Sequence, residues 1–196
     1  RMLKNWVNTF DVKQVPIKEE VSLGYAKEMI AIYANKQADL DLIIIGTKDS
    51  SSSFKKIIWG TIISKTIEGV SSVPVLVVPK GIVFQEIKNI AYVTPVDATW
   101  RPVYPQVEQI AADFKAALHV THLPQAKYEK LEHENHVVLE DYGSALHAFA
   151  YNNNLHLLVT VASVRSTFQK ILQYSKAQKM AFETLIPLLV LKKNNL

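Results

Sequence analysis

Residues 40–79 read LDLIIIGTKDSSSSFKKIIWGTIISKTIEGVSSVPVLVVP, and this stretch decides the fold class. Leu42 to Ile45 is a short apolar run rich in β-branched residues, as expected of a strand buried on both faces of a parallel sheet. Beyond Gly46 and four serines, apolar residues recur at helical spacing and predict a helix packed on that sheet, namely Phe54, Ile57, Ile58 and Ile62. Pro74 then opens a second apolar strand, Val75 to Val78. The order strand, polar loop, helix, strand is typical of an α/β protein.

The polar loop between the first strand and the helix is the candidate binding site. A strand end beside a helix N-terminus presents free N–H groups, which favour an anion. Lys48 adds a positive charge, whereas the carboxylate of Asp49 would repel a triphosphate. The alternative is a solvated loop in which a serine caps the helix.

The stretch resembles the universal stress protein superfamily, whose nucleotide-binding members carry a strand, then Gly-x2-Gly-x9-Gly-Ser/Thr, a helix and a strand opened by Pro-Val. Gly46 matches the first glycine, and Gly60-Thr61 match the last pair. Asp49 stands at the second glycine, and ten residues rather than nine separate it from Gly60. The resemblance implies doubly wound, mostly parallel sheets of the adenine-nucleotide-hydrolase-like type. It also implies a nucleotide site, here degenerate, formed by Gly46, Thr47, Lys48, Gly60 and Thr61.

The sequence repeats itself at a shift of about 115 residues. Leu40–Ile45 falls on Leu155–Thr160, Phe54–Ile58 on Phe168–Leu172 at a shift of 114, and Pro74–Val78 on Pro187–Leu191 at 113. We therefore expect two units, residues 1–81 and 82–196. The second unit begins near Ile87, so its counterpart in the first would begin about 28 residues before Arg1. The first unit lacks its first strand, first helix and second strand, either because the chain omits them or because the unit is a remnant.

The remaining elements follow from periodicity and turn signals. Strands are expected at 12–17 (an edge strand, because of Pro16), 86–93, 118–123, 128–131, 155–161 and 186–191, and helices at 1–10, 25–38, 103–117, 137–151 and 167–182. Only about four residues separate Leu123 from Tyr128, whereas a parallel neighbour needs a crossover of about a dozen. The two strands therefore form a hairpin, or a helix is missing there; the family resemblance favours the missing helix.

The second unit departs further from the nucleotide-binding pattern. Val161 stands where Gly46 would be, and Tyr174-Ser175 where Gly60-Thr61 would be. A β-branched residue and a tyrosine would crowd a phosphate. Pro95 replaces the aspartate that nucleotide-binding relatives carry after their first strand, and Asp97 lies two residues late. We expect no nucleotide site in this unit.

Catalytic and metal sites are not predicted. His119 and His122 are three residues apart on a strand and would point to opposite faces, so they would not share an ion. His133 and His136 have no third ligand at a recognisable spacing. No serine is followed by an organised base, and no Gly-x-Ser-x-Gly elbow occurs.

The composition limits the classes of partner that this protein is expected to bind. The chain has 196 residues, a net charge of +4 with scattered lysines, 48% hydrophobic residues and no cysteine. Scattered lysines do not form the clustered footprint of a nucleic-acid protein, and no apolar run approaches the ~20 residues of a membrane span. The last strands of the two units, Val75–Val78 and Leu188–Leu191, would be hydrophobic edges unless covered. We expect them to pair within the chain about a pseudo-twofold axis, as last strands pair in the family; further homo-oligomerisation is left open.

The resulting interpretation is a non-catalytic, cytoplasmic, universal-stress-protein-like factor of the stress response. Its adenine-nucleotide site would be degenerate in the first unit and absent from the second, so no bound cofactor is expected. The alternative is a regulatory module that binds ATP through the Gly46 loop and Gly60-Thr61.

Overall fold

The computed structural model describes residues 15–46, 61–70, 72–95, 98–123, 136–138, 148–162 and 186–192. Helix α1 spans Ala26–Lys36, α2 spans Thr61–Gly69 and α3 spans Tyr104–Phe114, and a 3-10 helix, Ala98–Val103, precedes α3. Residues 148–152 are also helical. The strands are β1 (Ile43–Gly46), β2 (Val75–Val78), β3 (Asn89–Pro95), β4 (Ala117–Leu123), β5 (His136–Val138), β6 (Leu157–Ala162) and β7 (Leu188–Lys192).

These seven strands form one sheet in the order β1-β2-β7-β6-β3-β4-β5. All neighbouring strands run parallel except β2 and β7, which are antiparallel. The prediction of a mostly parallel α/β sheet is therefore confirmed. Strands from both halves of the sequence lie in this single sheet, and β2 and β7 are the two strands that join them.

Apolar residues cover both faces of the sheet, which makes it doubly wound. On one face, Val75 and Val77 of β2 pack with Ile63 and Ile67 of α2, and on the other, Val159 of β6 packs with Val107 and Ala111 of α3. Neighbouring residues of a strand point to opposite faces, so both sets are buried when a strand is covered on both sides. This is the reason that the strands were recognisable as continuous apolar runs.

The sequence repeat is reproduced in the strand registers. Ile43 is paired with Val75 in β1 and β2, and their counterparts at shifts of 115 and 113, Leu158 and Leu188, are paired in β6 and β7. The hydrogen bonds agree as well: the Ile43 amide donates to the Pro74 carbonyl at 3.0 Å, and the Leu158 amide to the Pro187 carbonyl at 2.9 Å. The two strand pairs therefore share the same register and the same hydrogen bond at their start.

Most predicted elements in the described residues are present, with ends shifted by a few residues. The strand predicted at Val75–Val78 has those bounds, and the helix predicted over 103–117 is α3 preceded by the 3-10 turn. The predicted strand at 128–131 and the helices at 1–10 and 167–182 lie outside the described residues, as do Phe54, Ile57 and Ile58.

Two predictions were wrong. Residues 137 and 138 were assigned to a helix, but they belong to β5, which runs parallel to β4. Residues 124–135, which include the predicted strand at 128–131, lie outside the described residues, so the choice between a hairpin and a missing helix after Leu123 stays open. Residues 15–17 are not a strand, and Val15 is 64% exposed. Pro16 removes a backbone donor there, and no described strand lies alongside.

Lys192 at the end of β7 is a buried charged residue that links the sheet to α2. Its Nζ donates a hydrogen bond to the carbonyl of Ile67 in the last turn of that helix. Burial lowers the pKa of Lys192, and the nearby charge of Glu68 partly opposes this. A cation at a helix C-terminus is favourable for the helix dipole, which offsets part of the cost of desolvation.

No helix in the described part of the chain is long and apolar enough to cross a membrane.

Candidate functional site

The carboxyl ends of the parallel strands meet in two places, at opposite ends of the sheet. We call these places the first edge and the second edge. The first edge holds the carboxyl ends of β1 and β2, at Gly46 and Val78. The second edge holds the carboxyl ends of β3, β4 and β6, at Pro95, Leu123 and Ala162. The antiparallel pairing of β2 with β7 places the two edges apart. Ligands of open α/β sheets bind at such carboxyl ends, so each edge is a candidate.

The first edge contains the described part of the predicted nucleotide site. Gly46 is the last residue of β1, is exposed, and is paired with Val78. Thr61 is the first residue of α2. Thr47, Lys48 and Gly60 lie outside the described residues, so the structure does not establish whether the five residues meet, and the site stays a prediction.

The backbone φ of Gly46 is not positive, so its conformation does not require a glycine. Among the described atoms, none lies within 4 Å of a methyl group added at this position. A group could therefore approach the backbone closely here.

The strand order reverses at β3, which lies between β6 and β4 at the second edge. Strands β3 and β6 are in register from Ile90–Leu157 to Tyr92–Val159, and no further pair follows. Beyond the last pair, the hydroxyl of Thr160 donates a hydrogen bond to the carbonyl of Val93 at 3.0 Å. In the sheet, β4 lies on one side of β3 and β6 lies on the other side. The carboxyl end of β3 is therefore the point at which the strand order reverses.

Buried polar side chains line the strands at this second edge. Thr94 of β3 is in register with His122 of β4, and both side chains are buried. Burial raises the pKa of Tyr92 to about 12, although a hydrogen bond with the Thr94 side chain lowers it slightly. The phenol is thus neutral at physiological pH. The Tyr92 phenol and the Thr94 hydroxyl thus offer neutral hydrogen-bonding groups.

Tyr104 extends the cluster from the start of α3. Its ring centroid is 6.5 Å from that of Tyr92, with the two planes tilted by 38°. Partial burial raises the pKa of Tyr104, and the charge of Glu108 and a hydrogen bond with it act in the same direction. Sequence reasoning missed Tyr92, Thr94 and Tyr104 as site candidates. The available signal was the presence of polar residues in an apolar strand just before Pro95, which was assigned only to the fold.

Val161 at the second edge occupies the position that Gly46 occupies at the first edge. It is paired with Leu191, as its counterpart Gly46 is paired with Val78. The side chain of Val161 is half-buried, whereas the space beside Gly46 is open among the described atoms. The predicted crowding of a phosphate at this position stays a prediction.

The histidine side chains lie in different environments. The ring of His119 makes an edge-to-face contact with Phe149, at 6.0 Å between centroids, whereas His122 is three residues away on the same strand and so faces the other side. His136 begins β5, and His133 lies outside the described residues. Within the part of the chain that the structure describes, no group of three or more His, Cys, Asp or Glu side chains could hold a metal ion.

The class of protein defined by this topology is a doubly wound, mostly parallel α/β protein. No protein-family model matches the sequence, and no curated protein matches it. Solved structures do share the fold.

Three solved structures illustrate the similarity. A universal stress protein from Archaeoglobus fulgidus DSM 4304 superposes with a TM-score of 0.62 at 18% identity, over 98% of this chain and 75% of that one. A proposed universal stress protein from Pseudomonas aeruginosa UCBPP-PA14 gives 0.62 at 16%, over 97% and 77%. A protein of unknown function from Pseudomonas aeruginosa PAO1 gives 0.60 at 16%, over 97% and 76%. The chain has the fold of the universal stress proteins.

Proposed function

We propose that this protein is a non-catalytic, cytoplasmic stress-response factor of the universal-stress-protein type. It consists of two units, residues 1–81 and 82–196, joined through their last strands, β2 and β7, about a pseudo-twofold axis. The nucleotide site of the first unit is degenerate, and the second unit has none. The shared fold supports the type of protein, and the matching registers of β1–β2 and β6–β7 support the duplication.

The observation that carries the loss of the second site is the position of Val161. It occupies the strand end at which the first unit has Gly46 and open space. A β-branched side chain there would stand where a phosphate needs close contact with the backbone. For the first unit, the argument rests on Asp49, whose carboxylate would oppose a bound triphosphate.

The alternative function is a regulatory module that binds ATP at the first edge. Gly46 favours it, because the space beside its backbone is open among the described atoms, and Gly60-Thr61 match the remaining motif. The two functions make opposite predictions for nucleotide binding by the unmodified protein.

Thermal unfolding with and without Mg-ATP distinguishes them. We expect no stabilisation of the wild type and a rise in Tm for Asp49→Gly, because that substitution removes the repelling carboxylate and restores the glycine. Stabilisation of the wild type by ~2.7 kcal/mol, the amount expected at about 100 times Kd, would establish the alternative.

Two controls make this result specific. Gly60→Val in the Asp49→Gly background should abolish the gain, because it fills the second part of the motif. Release of phosphate from ATP in the same samples should equal that of buffer, and turnover that disappears with Gly60→Val would contradict a non-catalytic role.

A further inference from the structure

A groove crosses the face of the sheet on which α3 packs, at the junction between β2 and β7. Leu76 and Leu189, which lie opposite one another in these two strands, are among the residues that line it. Its volume is about 590 Å³, within the range of about 300–1,000 Å³ that is typical of small-molecule sites. Such sites occur preferentially where structural units meet, and β2 and β7 are the strands that join the two halves of the sequence.

The connection that follows β2 contributes a wall of the groove. The chain turns at Gly81, whose backbone φ of 85° favours glycine, and residues 82–85 then line the groove. Within this wall, Phe84 is 82% exposed. A second lining aromatic residue, Phe114 at the end of α3, is 46% exposed. Two aromatic side chains therefore border the groove with surface that a ligand can cover.

The lining of the groove is apolar and uncharged. Among the described residues that line it, none is Asp, Glu, Lys or Arg. A charged ligand would lose its hydration here without gaining a counter-ion, so an uncharged ligand is complementary to these walls. Two of the described lining residues, Gln85 and His156, have polar side chains.

His156 places a polar atom without a partner in these apolar surroundings. Its side chain lines the groove, and its Nδ1 atom is buried with no hydrogen-bond partner in the described structure. The backbone is already held, because the His156 amide donates to the Asn89 carbonyl at 2.9 Å. A buried polar atom is unfavourable until a partner reaches it. A hydroxyl group suits either tautomer of the imidazole, because it both donates and accepts a hydrogen bond.

We propose that this groove binds a neutral aliphatic alcohol, that is, a hydrocarbon chain with one hydroxyl group. The chain packs on Leu76, Leu189 and the two phenylalanines that border the groove. The imidazole ring of His156 turns toward the groove, so that Nδ1 forms a hydrogen bond with the hydroxyl. The class of ligand follows from uncharged walls together with a polar atom that lacks a partner. The site requires no nucleotide and therefore goes beyond the proposed function.

Binding of hexanol, octanol and decanol tests the proposal, measured by displacement of the neutral fluorescent probe N-phenylnaphthylamine. The affinity should rise about fourfold for each CH₂ group, because each one is removed from water. Leu76→Trp should weaken binding of all three alcohols at least about tenfold, as expected if the larger side chain excludes about two CH₂ groups. Leu23→Trp is the matched control: Leu23 is 97% exposed and is not among the described lining residues, so its variant should bind like the wild type.

His156→Phe separates the hydrogen bond from the apolar contacts. The affinity for hexanol should fall about fivefold, whereas that for hexane, which has no hydroxyl group, should not fall. His119→Phe is the matched control, because the Nε2 atom of His119 is also buried without a partner in the described structure. His119 is not among the described residues that line the groove, so this variant should bind both compounds as the wild type does.

Three results would overturn the proposal. Affinities that do not depend on chain length, or that are the same in Leu76→Trp and Leu23→Trp, would show non-specific association with exposed apolar side chains. Equal changes for hexanol and hexane in His156→Phe would remove the hydrogen bond that defines the ligand class. Alcohol affinity that falls as the protein concentration rises would identify a second copy of the chain as the occupant. The chain-length series and His156→Phe test the proposal even if Leu76→Trp does not fold.

Discussion

Leu76 and Leu189 lie directly opposite one another in the antiparallel pair of β2 and β7. They are also equivalent positions of the repeat, since Pro74–Val78 corresponds to Pro187–Leu191. The neighbouring pairs, Val75–Val190 and Val77–Leu188, exchange equivalent positions across this centre. The local register is thus symmetric about Leu76 and Leu189, which supports the proposal that two copies of one unit meet there.

This symmetry allows a matched pair of substitutions. Both leucines line the groove and pack in the cluster beneath α3, but Leu189 is 8% exposed, whereas Leu76 is only half-buried. Leu189→Ala should lower the free energy of unfolding by about 3 kcal/mol, and Leu76→Ala by about 1 kcal/mol, because truncation of a more deeply buried side chain leaves a larger cavity. Urea unfolding of both variants measures the difference. Equal decreases would show that the two leucines are equally well packed.

Thr160 and Thr66 provide a second matched pair, because both side chains are buried but their hydroxyl groups differ in hydrogen bonding. The Thr160 hydroxyl donates to the Val93 carbonyl at 3.0 Å, whereas that of Thr66 is buried without a partner in the described structure. Thr160→Val should cost about 1–2 kcal/mol, since it leaves a buried acceptor unsatisfied. Thr66→Val should be neutral or stabilising, since it removes an unsatisfied hydroxyl. Chemical denaturation measures both values, and a larger decrease for Thr66→Val would contradict the expected order.

Tyr92 should make the protein less stable in alkaline solution. Burial raises its pKa from 10.0 to about 12, so above pH ~10 the unfolded chain loses this proton before the folded protein does. The stability contributed by the neutral phenol is full below pH ~10 and is lost as the pH rises toward 12, by about 1.4 kcal/mol at pH ~11.

Tyr92→Phe has no proton to lose at this position, and its free energy of unfolding should fall less than that of the wild type between pH ~8 and ~11. Urea unfolding at the two pH values measures the change. Tyr151→Phe is the control: Tyr151 is 81% exposed, and its variant should follow the wild type. If both variants follow the wild type, Tyr92 is not protected from ionisation by the fold.

Much of the fold could be predicted because it is encoded in short apolar runs. Val75–Val78 and the strand from residue 43 were recognisable from their β-branched residues, and the repeat predicted that β1–β2 and β6–β7 share a pattern. β5 was not recognised because Val137 and Val138 fit a short strand and the start of a helix equally well. Only the pairing with β4, which joins distant parts of the chain, decides between them.

The candidate sites were predicted less completely. The motif around Gly46 is visible in the sequence, and the register of β1 and β2 places Gly46 at a carboxyl strand end. The cluster of Tyr92, Thr94 and His122 was not predicted, because the assembly of β3 and β4 brings these residues together. A single sequence does not state which distant strands are neighbours.

By itself, the sequence determined which segments can be strands with two apolar faces and which segments repeat, because both properties are local patterns of side chains. The tertiary structure alone decided which of those faces are covered. Leu157 and Leu42 have the same residue type and equivalent positions, yet one is buried under α3 and the other is open. Burial depends on the element that packs against a residue, and that element can lie anywhere in the polypeptide.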